Sequence, residues 1–252
     1  MDNRTALLKS YQILLPYSER QKWEFHNNLV HLNYLTRFLS KEMRILDVGC
    51  GIGILALALK LLGYNLEGID KFTFIKGNDF YAENVDTLKK IWDKNNLKIL
   101  DGDVLTDKIE KTYDFIITIA TIEHQKNLKL FLEKIIENTN TSSLIYIATP
   151  NVANCLNRVR FLFGKSPLLH NIKEYFNSGE LFTGHWREYT LAEMKLFCLW
   201  LNLEIVEAKH LQCISPFVNK KDFRSLYLSF FRLLAYLLPS GRDTNIILAR
   251  KR

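Results

Sequence analysis

The stretch Ile45-Leu46-Asp47-Val48-Gly49-Cys50-Gly51-Ile52-Gly53 constrains the fold more than any other. A short apolar strand runs without a linker into three glycines at alternate positions, and the helical pattern of Ile54 to Leu62 follows at once. Glycine tolerates the left-handed backbone that such a reversal needs, and its missing Cβ lets another group approach the main chain. A buried strand that turns directly into a helix is the opening half of a βαβ unit, and such units build parallel sheets. A dinucleotide fingerprint, G-x-G-x-x-G, would place its last glycine at position 54, which is Ile54. The spacing G-x-G-x-G therefore counts against a nicotinamide-dependent oxidoreductase.

Six more apolar runs follow: Leu66–Ile69, Leu97–Leu100, Phe115–Ala120, Leu144–Ala148, Leu203–Val206 and Asn245–Ala249. Between them lie segments apolar on one helical face, such as Tyr81, Val85, Leu88 and Trp92, then Leu128, Phe131, Leu132, Ile135 and Ile136. The alternation predicts an α/β fold. With 252 residues, 48% hydrophobic and 24% charged, the chain suffices for one main domain. From Pro150 to Tyr189 the pattern lapses into asparagines, glycines and aromatics, with a basic-aromatic helical piece around Arg158 to Phe163. An insertion of this length after a core strand predicts a lid. Thr190 and Glu193 then form a T-x-x-E capping box that restarts the core fold. The expected division is a helical cap over 1–43, a core over 44–150, the insertion over 151–189, and the rest of the core over 190–252.

A net charge of +7 favours an anionic partner: a phosphorylated small molecule, a membrane surface or nucleic acid. The charge is scattered, with clusters only at Lys220-Lys221 and Arg250-Lys251-Arg252, so nucleic acid is not the expected partner. The four cysteines, Cys50, Cys155, Cys198 and Cys213, form no C-x-x-C pair, which fits a reducing cytoplasm. No metal-ligand spacing stands out, and no metal is expected. The first residues offer no signal-peptide core. The most apolar stretch, Phe223 to Leu238, is interrupted by Arg224 and Arg232 and is too short to span a bilayer. A helix there is apolar over most of its circumference and needs more than one partner: the sheet and a homodimer interface, or a bilayer surface. With two arginines on it, the first reading is preferred.

The Leu-Asp-Val-Gly-Cys-Gly-Ile-Gly run closely resembles the first motif of class I S-adenosylmethionine-dependent methyltransferases. Three further elements follow in that family's order: Asp70 with Lys71 at the end of the second strand, Asp101-Gly102-Asp103-Val104 after the third, and Ile119-Ala120-Thr121-Ile122-Glu123-His124 after the fourth. The likeness covers Arg44 to Pro150 and, more loosely, Thr190 to Arg252. It implies a Rossmann-like, seven-stranded, mostly parallel sheet with helices on both faces, a last strand inserted antiparallel, and S-adenosylmethionine as cofactor. On this likeness Gly49, Cys50, Gly51 and Gly53 cradle the methionine half, and Asp47 orders the loop and favours the ammonium. Asp70, with Lys71 beside it, takes the ribose hydroxyls, while Asp103, Val104 and Ile119 surround the adenine, with Asp101 a rival for the amine. The helical pattern of Ser18 to Ser40 is expected to lie over the cofactor mouth.

Methyl transfer to a hydroxyl needs a base, and His124, past the fourth strand, is the first candidate; His185, in the insertion, is the second. Each could equally be a structural histidine. Arg158 and Arg187 could grip an anionic acceptor group, and Trp186 and Tyr189 could face a sulfonium, although solvation and packing are the commoner fates. Thr149-Pro150-Asn151 and Gly184-His185-Trp186-Arg187-Glu188-Tyr189 resemble a subgroup that tailors glycans and secondary metabolites. The expectation is O-methylation of a small or lipid-linked acceptor such as a sugar. A cofactor-binding regulatory protein without turnover is the competing reading from another class.

Overall fold

A computed structural model describes residues 1–14, 24–72, 85–107, 109, 112–167, 172–178, 182–214 and 223–252. Tyr81, Lys220 and Lys221, and residues 18–23 of the expected N-terminal helix lie outside them. The seven apolar runs are seven strands: β1 (Arg44–Val48), β2 (Asn65–Asp70), β3 (Lys98–Asp101), β4 (Tyr113–Ile119), β5 (Thr139–Pro150), β6 (Leu203–Leu211) and β7 (Thr244–Lys251). They form one sheet in the order β3-β2-β1-β4-β5-β7-β6. The first five are parallel, and β7 runs antiparallel between β5 and β6, as expected.

The helices are α1 (Asn3–Leu14), α2 (Phe25–Leu35), α3 (Ile54–Leu61), α4 (Val85–Lys94), α5 (Leu128–Glu137), α6 (Cys155–Leu162), α7 (Ile172–Ser178), α8 (Leu191–Trp200) and α9 (Phe223–Leu237). Successive side chains on a strand point to opposite faces, so each buried strand feeds two cores. On β4, Phe115 and Ile117 join the cluster under α1 to α4, whereas Ile116 joins the one under α5 and α8. On β5, Tyr146 and Ala148 take the first face, Ile145 and Ile147 the second. That two-sided burial is why the inner strands read as unbroken apolar runs.

The structure departs from the sequence reading at three places. Residues 3–14 form α1, whose buried face, Ala6, Leu7, Ser10, Tyr11 and Leu14, follows helical spacing through polar neighbours. Asp2 caps it by accepting from the Thr5 amide at 2.8 Å. Second, α2 rests on the face of the sheet, its buried His31 bonded to the Tyr146 hydroxyl at 2.7 Å, while α1 reaches the start of α3 through Ser10 Oγ and the Ile54 carbonyl at 2.6 Å. Third, β6 continues to Leu211 through Glu207, Lys209 and His210. It is an edge strand, half open to solvent, so its second half carries no apolar run.

The insertion holds α6 and α7 and is pinned at its ends by a bridge between Asn151 and Tyr189. Thr190 and Glu193 form the expected capping box at the start of α8. Along α9, Ala235 is buried while Phe230, Leu233, Tyr236 and Leu237 are exposed. No helix among the described residues is long and apolar enough to cross a membrane.

Candidate active site at the carboxyl ends of the parallel strands

Strand order reverses between β1 and β4, and open α/β sheets bind ligands in the crevice outside the carboxyl ends of their strands at such a reversal. The glycine loop leaves β1 there. Gly49, Gly51 and Gly53 all have positive φ, of 77°, 56° and 85°. At Gly49 the requirement is doubled, because a Cβ would sit 2.3 Å from Thr121 Oγ1. The amides of the three glycines are used within the protein. Gly49 donates to the Ile69 carbonyl at 2.8 Å, Gly53 to the Cys50 carbonyl at 3.0 Å, and Gly51 to Asp70 Oδ2 at 2.8 Å. For Gly49 and Gly51 the cause is β2, whose end lies close enough to complete the turn, while Gly53 closes on the loop itself. What the loop offers is a bare main chain, and the polar groups around it are carboxylates.

Asp47 is 4% exposed, and burial, with the Asp70 charge second, pushes its carboxyl up to about 7. Asp70 is also raised, mainly by burial, although its two oxygens accept from the Gly51 and Phe72 amides at 2.8 Å each. Burial and the charges of these two carboxylates raise the Cys50 thiol as well, which disfavours its thiolate. A buried and a half-buried carboxylate with disfavoured charge form a site that a cation would stabilise. Lys71 pairs with Asp103 at 2.9 Å, which brings these two candidates together. Val104 is buried beside them, and the partly exposed Ile119 ends β4.

The second half of the site follows β4. Ala120 takes a φ of 51°, and Ile122–His124 form one 3-10 turn. His124 and His185 meet edge to face with ring centres 4.8 Å apart. His124 Nδ1 lies 2.8 Å from the Thr183 carbonyl, and His185 Nδ1 lies 2.9 Å from Glu188 Oε1. Beneath them Glu123 is fully buried and accepts from the Thr149 hydroxyl at 2.9 Å, and burial lifts its carboxyl to about 7. Its carbonyl accepts from the Trp186 amide at 2.8 Å, which ties the insertion to the strand end. Sequence reasoning quoted Glu123 within the Glu-His segment without assigning it a task. Its signal in the sequence was the likeness of the segment ending Glu123-His124 to the family.

The structure brings Trp186, Arg187 and Tyr189 together around an open depression of about 520 Å³, with Lys126 alongside. Their polar groups are largely taken up. Arg187 pairs with Glu193 at 2.5 Å, Lys126 lies over the Trp186 ring at 4.7 Å, and Tyr189 is buried edge to face against Phe197. Tyr189 is thus a wall of the core rather than a face for a sulfonium. Arg158 is held apart from these three, donating to the Ala153 carbonyl at 2.6 Å and the Ser240 carbonyl at 2.8 Å.

A seven-stranded sheet with one antiparallel member, a glycine turn after β1 and acidic residues closing β2 and flanking β3 define the class I methyltransferase architecture. The chain belongs to the methyltransferase domain family, whose sequence profile matches residues 21–208. Among curated proteins it is similar to the ubiquinone biosynthesis O-methyltransferase of Rickettsia bellii (strain OSU 85-389), 28% identical over 132 residues, covering 49% of this chain and 51% of that one. The protein of the same name from Rickettsia akari (strain Hartford) is 32% identical over 120 residues, 47% of this chain and 44% of its own. The chain thus spans about half the length of these relatives. Among solved structures, the cyclopropane synthase MmaA2 from Mycobacterium tuberculosis superposes with a TM-score of 0.58 at 15% identity, over 92% of this chain and 87% of that one. The phosphoethanolamine N-methyltransferase 2 of Haemonchus contortus does so at 0.61 and 15% identity, over 100% of this chain and 60% of that one. At these identities the structures speak for the fold alone.

Proposed function

We propose that this chain is an S-adenosylmethionine-dependent methyltransferase acting on a hydroxyl of a small or lipid-linked acceptor such as a sugar. The observation that carries the reading is the buried Asp47 beside the half-buried Asp70 at a glycine loop of positive φ: two carboxylates whose charge is disfavoured call for a cationic ligand that can reach the main chain. When bound, the cofactor supplies a methyl group made electrophilic by a positive sulfur. Asp47 faces the ammonium, and the loop of Gly49, Cys50, Gly51 and Gly53 lets the amino-acid end lie against bare backbone. Asp70 retains a second lone pair on each oxygen for the ribose hydroxyls. Asp103, steadied by Lys71, accepts from the adenine amine, with Val104 and Ile119 as apolar neighbours. The name of the Rickettsia relatives supports oxygen as the receiving atom.

The insertion and the turn after β4 serve the acceptor. A hydroxyl is a weak nucleophile until its proton leaves, a contribution typically of about 10²–10⁴-fold. The cluster of Glu123, His124 and His185 is where that proton is taken. Trp186 and Arg187 line the approach. Titration calorimetry tests the reading: S-adenosylhomocysteine should bind while NAD does not, and labelled methyl groups should then pass to a component of a cell extract. Binding of NAD with indifference to the homocysteine nucleoside would sink it, and binding without turnover would favour a regulatory protein.

A further inference from the structure

The side chains of Glu123, His124 and His185 each offer one ligand atom, and these atoms lie within 4.8 Å of one another. The two segments that supply them are fastened by main-chain bonds, since the Trp186 and Arg187 amides donate to the Glu123 carbonyl at 2.8 and 3.4 Å. The approach of the three side chains is therefore set by the fold rather than by chance rotamers.

Glu123 carries the strongest sign of a missing ligand. The residue is fully buried; Oε2 accepts from Thr149, yet Oε1 has no hydrogen-bond partner among the described residues. A buried carboxylate oxygen left unpaired costs more than a neutral group, about 1–3 kcal/mol or above, so native structures pair it with a proton, a water or an ion.

The histidines add a second, independent sign. His124 Nδ1 sits 2.8 and 3.1 Å from the Thr183 and Gly184 carbonyls, which accept only, so this nitrogen carries the hydrogen. His185 Nδ1 faces Glu188 Oε1 at 2.9 Å in the same sense. Both rings are thereby oriented with Nε2 as the basic nitrogen. A carbonyl or a carboxylate on the far nitrogen is the outer shell that metal-binding histidines carry.

We infer that Glu123, His124 and His185 form a three-ligand site for a divalent first-row transition ion, with zinc as its expected occupant. Two imidazoles and one carboxylate are a borderline set that suits zinc, cobalt or nickel better than magnesium or calcium, which prefer oxygen. Ligand atoms on a tetrahedral ion with bonds of about 2.1 Å lie about 3.4 Å apart, so side-chain rotations of about an ångström close the site. Three protein ligands leave one position open, as in catalytic rather than structural zinc sites. On the functional reading above, an ion there takes over the task of a histidine base: the acceptor hydroxyl held at the open position gives its proton to water, since a ligated imidazole cannot accept it. The ion site itself does not depend on that reading.

The test uses full-length protein freed of any affinity tag, stripped with chelator, and titrated with cobalt(II) while its visible d–d absorption is followed, with zinc(II) calorimetry in parallel. One equivalent should bind. Glu123→Gln, which keeps the shape of the side chain, and His185→Ala should each weaken binding at least about tenfold; Glu188→Gln should weaken it by about 10–100-fold through the outer shell. Absence of stoichiometric binding, or equal binding in wild type, Glu123→Gln and His185→Ala, overturns the site. S-adenosylhomocysteine affinity is measured on the same samples. Retained nucleoside binding with no metal removes this inference and leaves the methyltransferase reading; metal binding with no nucleoside binding does the reverse.

Discussion

Asp47 lies behind the glycine loop with its charge disfavoured by burial and by Asp70, and that arrangement has a pH signature. Its folded value of about 7 lies above the 3.8 of an unperturbed aspartate, so between these limits the native chain holds a proton that the unfolded chain releases. Stability from this group is therefore greatest at low pH and declines as pH rises to about 7. A cationic ligand reverses the balance by favouring the ionised form. S-adenosylhomocysteine should bind more tightly as pH rises from 6 to 8, by up to about tenfold per pH unit below the folded value. Calorimetry across that range checks it, and Asp47→Asn should flatten the dependence. At Gly49 the demand is steric. A φ of 77° and a Cβ 2.3 Å from Thr121 Oγ1 predict that Gly49→Ala costs about 1–3 kcal/mol and weakens nucleoside binding. Adding Thr121→Ala should recover part of the stability, because it removes the clash and leaves the strained dihedral. A melting-temperature series on the two variants separates the contributions. The glycine turn was legible because backbone chemistry dictates it locally, whereas Asp47 entered only through the family likeness. Glu123 and Thr121 were not legible, since their importance comes from residues 26 and 72 positions away, Thr149 and Gly49, which only the folded chain brings near.

At the scale of elements, the caps were more readable than the strand ends. Thr190 Oγ1 accepts from the Glu193 amide at 3.3 Å, and Glu193 Oε2 accepts from the Thr190 amide at 2.8 Å, so the four-residue pattern alone located the start of α8. Thr190→Ala should lower stability by about 0.5–2 kcal/mol. Because Arg187 leans on the same Glu193, the loss should couple to Arg187→Ala in a double-mutant cycle followed by chemical denaturation. Additive losses would show that the cap and the ion pair act separately. Within the expected helical cap, the bounds of α1 escaped notice for the opposite reason: its buried face includes a serine and a tyrosine, and Ser10 bonds the Ile54 carbonyl 44 residues on. The far half of β6 escaped because an edge strand needs no apolar run. The insertion was recognised as a break in pattern, but its asparagines serve the framework. Asn151 bonds the Ser240 and Arg242 carbonyls, and Asn154 caps α6.

The whole molecule is held by ties across great sequence distance, and His31 is one of the buried polar groups among them. On α2, it bonds the Tyr146 hydroxyl of β5 at 2.7 Å through Nδ1 and approaches Cys213 Sγ at 3.6 Å through Nε2, joining positions 115 and 182 residues away. The sheet's α/β class and its antiparallel last strand followed from alternating runs and from family likeness, whereas this knot could not, because each residue reads singly as an ordinary core or loop residue. Burial lowers the imidazole from 6.5 to about 4, so the native chain keeps His31 neutral. The unfolded chain takes up a proton below 6.5 that the native chain refuses until about 4, so stability from this group is complete above 6.5 and falls as pH drops through that window. The full difference is about 3 kcal/mol. It runs opposite to the contribution of Asp47, and the two partly cancel in wild-type protein between about pH 4 and 6.5. His31→Gln, which keeps an acceptor for Tyr146 and cannot titrate, should expose the Asp47 trend. Denaturant midpoints for that variant should fall steadily as pH rises through the window, while the wild-type curve stays flatter. If the two curves run parallel, His31 is not held neutral by burial, and the packing of α2 onto β5 is looser than the structure has it.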